Sequence, residues 1–172
     1  MSLKEVKSVQ IDDQKGILYS AGNRSLLIPI PVVNAIDTTF AKSVGREGAD
    51  ILMCKIGEAL GRGYVQSLQA VLNKEGMDVS VESCIEMSCN AIFLEAGWGS
   101  VKICNLDVEE SLLDVEILYS PSGELLESES YSLEKGILTG VVYELVKKEV
   151  YCELVSVDKE KHSVRLKTSK NI

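Results

Sequence analysis

The sequence predicts an α+β domain in which helices pack on one side of a twisted antiparallel sheet. The chain of 172 residues suits one domain with a substantial core. Its segments follow the order strands, helices, strands, helix, strands, which favours an antiparallel sheet over alternating parallel units. No repeat or shift in composition marks a second domain. Residues 1–29 are therefore assigned as strands belonging to the same domain as residues 30–168.

The composition is that of a soluble globular protein, with 45% hydrophobic and 26% charged residues. A net charge of -8 disfavours nucleic acid and anionic membranes as partners, because both are bound mainly through Lys and Arg. The longest apolar run, Leu26 to Val33, is far shorter than the roughly 20 residues of a membrane span. Since the N-terminus has no apolar signal core, we expect a cytoplasmic protein.

The first half of the chain predicts a hairpin followed by helices. Strand-like pieces at Val6–Ile11 and Ile17–Ser20 flank the turn residues "DDQKG". Pro31 suits the first position of a helix that ends near Gly45. A second helix follows from the apolar spacing over 49–72 and is closed by Gly76.

Three glycines, Gly57, Gly61 and Gly63, lie inside the second helical pattern. They indicate either a bend or close packing of another backbone, and we favour close packing. A third helix is predicted over "SVESCIEMSCNAIFLEAG", with a serine cap at its start and Gly97 at its end.

The second half predicts two strands, "GSVKICNL" and "LLDVEILYS", then a turn at "PSGE" and a fourth helix capped by Ser132. Gly136 and Gly140 form a ridge on this helix, although each glycine costs a helix about 1 kcal/mol relative to alanine. The space beside them can hold another helix, a partner subunit or a ligand, and the sequence does not rank these. A strand from Val150 and a hairpin at "DKEK" complete the chain.

The cysteines and the single histidine give no strong catalytic or metal pattern. Five cysteines at 54, 84, 89, 104 and 152 form no CxxC pair, so we expect reduced thiols, mostly in the core. The run "GEALGRGY" lies inside a helical pattern, which excludes a nucleotide-binding loop. No fingerprint of a redox cofactor is present.

The run "GILTGVVYELVKKEVYCELVSVDKEKHSVRL", together with the G-W-G turn and "SVKICNLDVEESLLDVEILYSPSG" before it, resembles the 4-vinyl reductase domain family. It is also similar to the related transport-particle (TRAPP) subunits, whose helix carries glycines four residues apart, as Gly136 and Gly140 are here. The resemblance covers roughly residues 30–168 and implies a TRAPP-subunit-like fold of the superfamily of ligand-binding domains in NO signalling and Golgi transport.

This resemblance implies a homodimer with an apolar cavity between helices and sheet, of the kind found in hydrocarbon-binding and aromatic-sensing domains. We therefore expect a non-catalytic sensor or regulatory domain that binds a hydrophobic small molecule and signals through a partner protein. The pocket residues expected from the helical faces are Met53, Ile56, Leu60, Trp98, Ile137 and Val141. Two alternatives are a dimeric scaffold subunit of TRAPP type and, third, an enzyme related to vinyl reductase.

The resemblance also implies a candidate zinc site, because aromatic-sensing relatives hold zinc with cysteines and a glutamate near the C-terminal hairpin. Glu153 matches the glutamate, whereas the expected cysteines are replaced by Ser156 and approximately by His162 and Tyr131. Cys152 can substitute for a lost ligand, since zinc favours thiolate and imidazole. Glu153 and Ser156 share a strand face only if a bulge separates them.

Cys54 is the remaining candidate, because transport-particle relatives attach an acyl chain to a helical cysteine. The sequence around Cys54 does not match that acylated segment, and a core position is the favoured interpretation.

Overall fold

The computed structural model describes residues 9–12, 14, 17–20, 23–25, 28–122 and 130–170, and the predicted strand residues 6–8 lie outside them. Its helices are α1 (Ile30–Lys74), α2 (Val81–Cys89) and α3 (Ser132–Val146). A π-helical turn, Asn90–Glu95, continues α2. The strands are β1 (Val9–Asp12), β2 (Ile17–Ser20), β3 (Asn23–Ser25), β4 (Ser100–Asp107), β5 (Leu112–Leu118), β6 (Val150–Asp158) and β7 (Ser163–Lys170).

The strands form two antiparallel sheets. The first has the order β1-β2-β3, and its β1–β2 pair is the predicted hairpin. The second has four strands in the order β4-β5-β7-β6, so β4 and β6 are its edges. Fully buried side chains of β5, β7 and α3 form one core with α1 and α2: Leu113, Val115, Ile117, Leu166, Ile137, Leu138 and Val141. The predicted α+β fold is confirmed.

None of the helices in the described part of the chain combines the length and apolar character needed to cross a lipid bilayer.

The first two predicted helices meet at Gly45, as the sequence predicted, and α1 consists of these two helical parts. This glycine has φ 79° and ψ 169°, a conformation that residues with a Cβ rarely adopt. Across the break, the Arg46 guanidinium donates two hydrogen bonds to the Asp37 carboxylate, one of them at 2.8 Å. Asp37 is buried, so this pair neutralises a carboxylate on the inner side of the first half of α1.

The centre of the fold is a seam between α1 and α3 in which glycines of one helix meet the backbone of the other. A Cβ on Gly61 would overlap the Ile137 carbonyl oxygen and lie 3.0 Å from the Val141 nitrogen. From the other side, a Cβ on Gly136 would overlap the Cys54 carbonyl oxygen. A Cβ on Gly57 or on Gly140 would likewise overlap a backbone carbonyl oxygen of the opposite helix. The two helices therefore touch along their backbones, and another helix of the same chain fills the space beside Gly136 and Gly140.

The helix ends match the prediction at α2 and differ at α3. Ser80 caps α2, since its Oγ accepts a hydrogen bond of 3.2 Å from the Ser83 amide. The cap predicted at Ser132 is wrong, because Ser132 is the first helical residue and its Oγ donates to Ser130 Oγ at 3.0 Å. The residue at the cap position is Tyr131, which has a left-handed backbone with φ 49°.

The four-stranded sheet is fastened by a side-chain pair between β5 and β7. Arg165 donates two hydrogen bonds to the Asp114 carboxylate, at 2.8 and 2.7 Å. These bonds hold the pKa of Asp114 below its ordinary value. On the other side of β7, the pairing with β6 shifts between Leu154 and Ser156, which marks a β-bulge at the exposed edge.

The seam predicts opposite effects for two glycines of the same helix. Gly61→Ala should lower the free energy of unfolding by about 1–3 kcal/mol or more, because its Cβ cannot be placed without separating the helices. Gly63→Ala is the control: nothing lies within 4 Å of its Cβ, so it should stabilise the helix by up to about 1 kcal/mol. Urea unfolding of both variants measures the difference, and equal stabilities would contradict the seam.

The Asp114–Arg165 pair predicts a stability contribution that disappears in acid. Because the pKa of Asp114 is lowered by folding, the contribution is complete above the unfolded-state value of about 3.9 and is lost as pH falls through the lower folded value. The difference in free energy of unfolding between wild type and Arg165→Gln should therefore be constant from pH 7 to about pH 5 and shrink below about pH 4.

The control for this measurement is Lys170→Gln, which removes an ion pair of 3.1 Å with the largely exposed Glu110. That variant should change the free energy little at any pH. If the difference in free energy of unfolding between wild type and Arg165→Gln grew as the pH fell, the proposed contribution of the Asp114–Arg165 pair would be contradicted.

Candidate functional site

The predicted pocket residues divide into an inner and an outer group. Met53, Ile137 and Val141 are at most 3% exposed and belong to one buried core, against which the half-buried Trp98 packs. Ile56 and Leu60 are 38% and 37% exposed. The structure thus brings four of the six residues together between helices and sheet, and it places Ile56 and Leu60 on the outside of α1.

Half-buried aromatic side chains border this core on the helical side. Phe40 and Tyr64 of α1, like Trp98 after the π-helical turn, pack against the buried cluster without being enclosed by it. Aromatic rings offer large apolar surfaces with a preferred stacking geometry.

The outer side of α1 is apolar and uncharged. Leu52, Ile56 and Leu60 follow one another at intervals of four residues and are all more than a third exposed. The charged residues of this stretch lie on the other side of the helix, where Glu58 pairs with Lys55 at 2.9 Å and with Arg62 at 3.9 Å. We call the surface formed by Leu52, Ile56 and Leu60 the outer face of α1.

The three candidate zinc ligands do not converge. Cys152 and Glu153 are neighbours on β6, so their side chains leave opposite faces of the strand. His162 lies exposed in the β6–β7 turn with φ 50°, and its ring stacks on Tyr119 at 6.0 Å. The β-bulge does place Glu153 and Ser156 on one face, yet Ser156 brings no thiolate. Within the described ranges no group of three or more His, Cys, Asp or Glu residues could hold a metal ion.

Burial protects Cys54, Cys89 and Cys152, whereas Cys104 is exposed. Burial raises the pKa of Cys89 and of Cys152 to about 12, and burial also raises the pKa of Cys54. Nucleophilic catalysis requires the thiolate, which these values disfavour at neutral pH. Because the candidate donors do not converge, the residues present do not fit a zinc ion.

A buried carboxylate holds the start of α3 to the chain that follows β5. Glu134 is fully buried and accepts hydrogen bonds from Ser120 Oγ at 2.5 Å and from Ser122 Oγ at 2.6 Å. The Ser122 amide adds a third bond at 3.3 Å. Charge-assisted bonds of this kind offset much of the cost of burying a carboxylate. No local sequence pattern identifies Ser120 and Ser122 as the partners of Glu134.

Two further polar residues were missed because they interrupt apolar faces. Asp37 falls between Val33 and Phe40, which pack on the core, and Ser88 falls among the buried residues of α2. The signal in both cases is a polar residue at a helical position where the spacing calls for an apolar one.

Comparison with solved structures shows a shared fold at low sequence identity. The phenol-responsive sensory domain of the transcription activator PoxR, crystallised with phenol, matches with a TM-score of 0.78 at 14% identity. The match covers 97% of this chain and 87% of that domain. The two share one fold. No protein-family model matches the chain, and no curated protein matches it in sequence.

Two other solved structures have the same fold at lower similarity. A vinyl-4-reductase family protein from Methanocaldococcus jannaschii matches with a TM-score of 0.54 at 17% identity, covering 86% of this chain and 85% of that one. A trafficking protein particle complex subunit 3 from Naegleria fowleri, covalently bound to palmitic acid, matches with a TM-score of 0.51 at 12% identity. That match covers 84% of this chain and 98% of that one. The resemblance to the vinyl reductase and transport-particle folds is thereby confirmed.

Proposed function

We propose that this protein is a cytoplasmic, non-catalytic sensor that binds a hydrophobic small molecule between its helices and the four-stranded sheet. The observation that carries the proposal is the fold shared with a phenol-responsive sensory domain over 97% of the chain. The binding region comprises Met53, Trp98, Ile137 and Val141, and its output passes to a partner protein.

The character of this region supports an apolar and preferably aromatic ligand. Its buried side chains are Met53, Ile137 and Val141, and the rings of Phe40 and Trp98 pack against the same buried cluster. Small-molecule sites in proteins are mostly apolar with a few polar contacts that fix orientation. Binding rather than turnover is the activity that these apolar side chains support.

Cargo binding is tested by native mass spectrometry and by thermal melting with added phenol or toluene. Protein purified without a metal-affinity step should carry a mass that denaturation releases, or its melting temperature should rise with an added aromatic. Trp98→Ala should weaken aromatic binding about tenfold, because it removes a ring at the border of the core.

The matched control is Tyr151→Ala, which removes a ring 44% exposed on β6, away from the core. It should leave binding unchanged. If the wild-type protein carries no cargo and neither compound changes its melting temperature, the sensor proposal is wrong.

The outer face of α1 supports a second part of the proposal, a homodimer. A surface without charges lets two copies of an acidic chain meet without bringing like charges together. Its residues recur every four positions, as in a helix that packs on another helix. We therefore propose that two copies pair through Leu52, Ile56 and Leu60. The same surface serves the alternative function, a scaffold subunit that assembles without a ligand.

The dimer is tested by placing a charge on either side of α1. Ile56→Glu should convert a dimer into monomers in analytical ultracentrifugation, because the carboxylate would be buried against its own symmetry mate. Ile51→Glu is the control, since Ile51 is also apolar and is 62% exposed, but points away from the outer face. If Ile56→Glu remained dimeric, pairing through the outer face of α1 would be contradicted. A dimer that carries no cargo would favour the scaffold function.

A further inference from the structure

Ser88 places a hydroxyl at the centre of the buried face of α2. Cys84, Ile85 and Cys89 are the buried residues around it on this helix, and Ser88 itself is 1% exposed. In the part of the chain that the structure describes, its Oγ has no hydrogen-bond partner. Buried hydroxyls are nearly always paired, so an orphan of this kind requires an explanation.

Other hydroxyl residues in helices of this chain, at more exposed positions, bond to the backbone of their own helix. Thr39, Ser43 and Ser67 donate to the carbonyl four residues earlier, at 2.7, 2.8 and 2.7 Å. This bond is the usual one for Ser and Thr inside a helix. Ser88 does not make it, although it lies inside α2. Its hydroxyl is therefore available to a group outside the helix.

The surroundings of Ser88 select the kind of group that can pair with it. The buried neighbours on α2 are aliphatic or thiol side chains, and the acids Glu82 and Glu86 are on the exposed side. A carboxylate or an ammonium brought to this face would lose its hydration without gaining a counter-charge from α2. A neutral hydrogen-bonding group would lose far less. The π-helical turn that follows α2 directly is a feature often found beside functional sites.

We propose that Ser88 Oγ is the polar contact of the ligand site and pairs with the single neutral hydroxyl of an otherwise apolar ligand. This inference rests on the proposed function and adds the chemical class of the ligand: apolar alcohols and phenols bind in preference to hydrocarbons and to ionised acids. A site that hydrogen-bonds a hydroxyl also rejects the analogue that lacks it.

The experiment compares phenol with toluene, which has nearly the same shape but carries a methyl group in place of the hydroxyl. Dissociation constants are measured calorimetrically for the wild type, Ser88→Ala and Ser169→Ala. The last is the control, because Ser169 Oγ is another buried hydroxyl without a partner, on β7. Ser88→Ala should weaken phenol binding about tenfold, the value of one hydrogen bond, and leave toluene binding unchanged. Ser169→Ala should change neither.

The stability of the unliganded protein gives a second, independent reading. Since Ser88→Ala removes an unpaired buried hydroxyl, its melting temperature should equal or exceed that of the wild type. A lower melting temperature would mean that a structural partner such as a buried water holds the hydroxyl, and the inference would be overturned. Equal loss, or no loss, of phenol and toluene binding in Ser88→Ala would also overturn it and leave the proposed function standing. A wild type that binds neither compound would overturn the inference, and it would overturn the proposed function as well if the purified protein carries no releasable cargo.

Discussion

The contact between α1 and α3 is the constraint from which the rest of the domain follows. Side chains normally keep helix axes about 8–10 Å apart, and glycines allow the backbones themselves to meet. Because Gly57 and Gly61 face Gly136 and Gly140, two long elements far apart in the chain can approach only in one register. With α3 so fixed, its remaining sides are free to cover the sheet and α2, which explains why so much of this helix is buried.

Much of this architecture could be predicted from the spacing of glycines and apolar residues in the sequence. Glycines four apart indicated a close approach, and the apolar periods of α1, α2 and α3 located the helices. The side of α1 that packs on the core could not be predicted in the same way. Apolar residues lie on both the buried and the exposed sides of α1, so the sequence alone allows Ile56 and Leu60 to lie on either side. Only the packing of α1 against α3 determines that Met53 points into the core and that Ile56 and Leu60 remain exposed.

Polar residues within apolar faces mark the limit of sequence reasoning here. Asp37, Ser88 and Glu134 all occupy buried helical positions, and each is visible as an interruption of the pattern. What each one binds is not visible, because the partners of Asp37 and Glu134 arrive only through the break at Gly45 and the return of the chain after β5. The same limit applies to the cap predicted at Ser132: Tyr131, with a left-handed backbone, occupies the cap position, and Ser132 is the first helical residue.

The break at Gly45 gives the two helical parts of α1 separate stabilities. The part after the break is held by the seam, whereas the part before it depends on Val33, Phe40 and the link between Asp37 and Arg46. A helix this short is marginal when isolated from its packing. The N-terminal part of α1 is therefore the portion of the helical layer that can open first, exposing the core beneath it while the glycine seam stays closed.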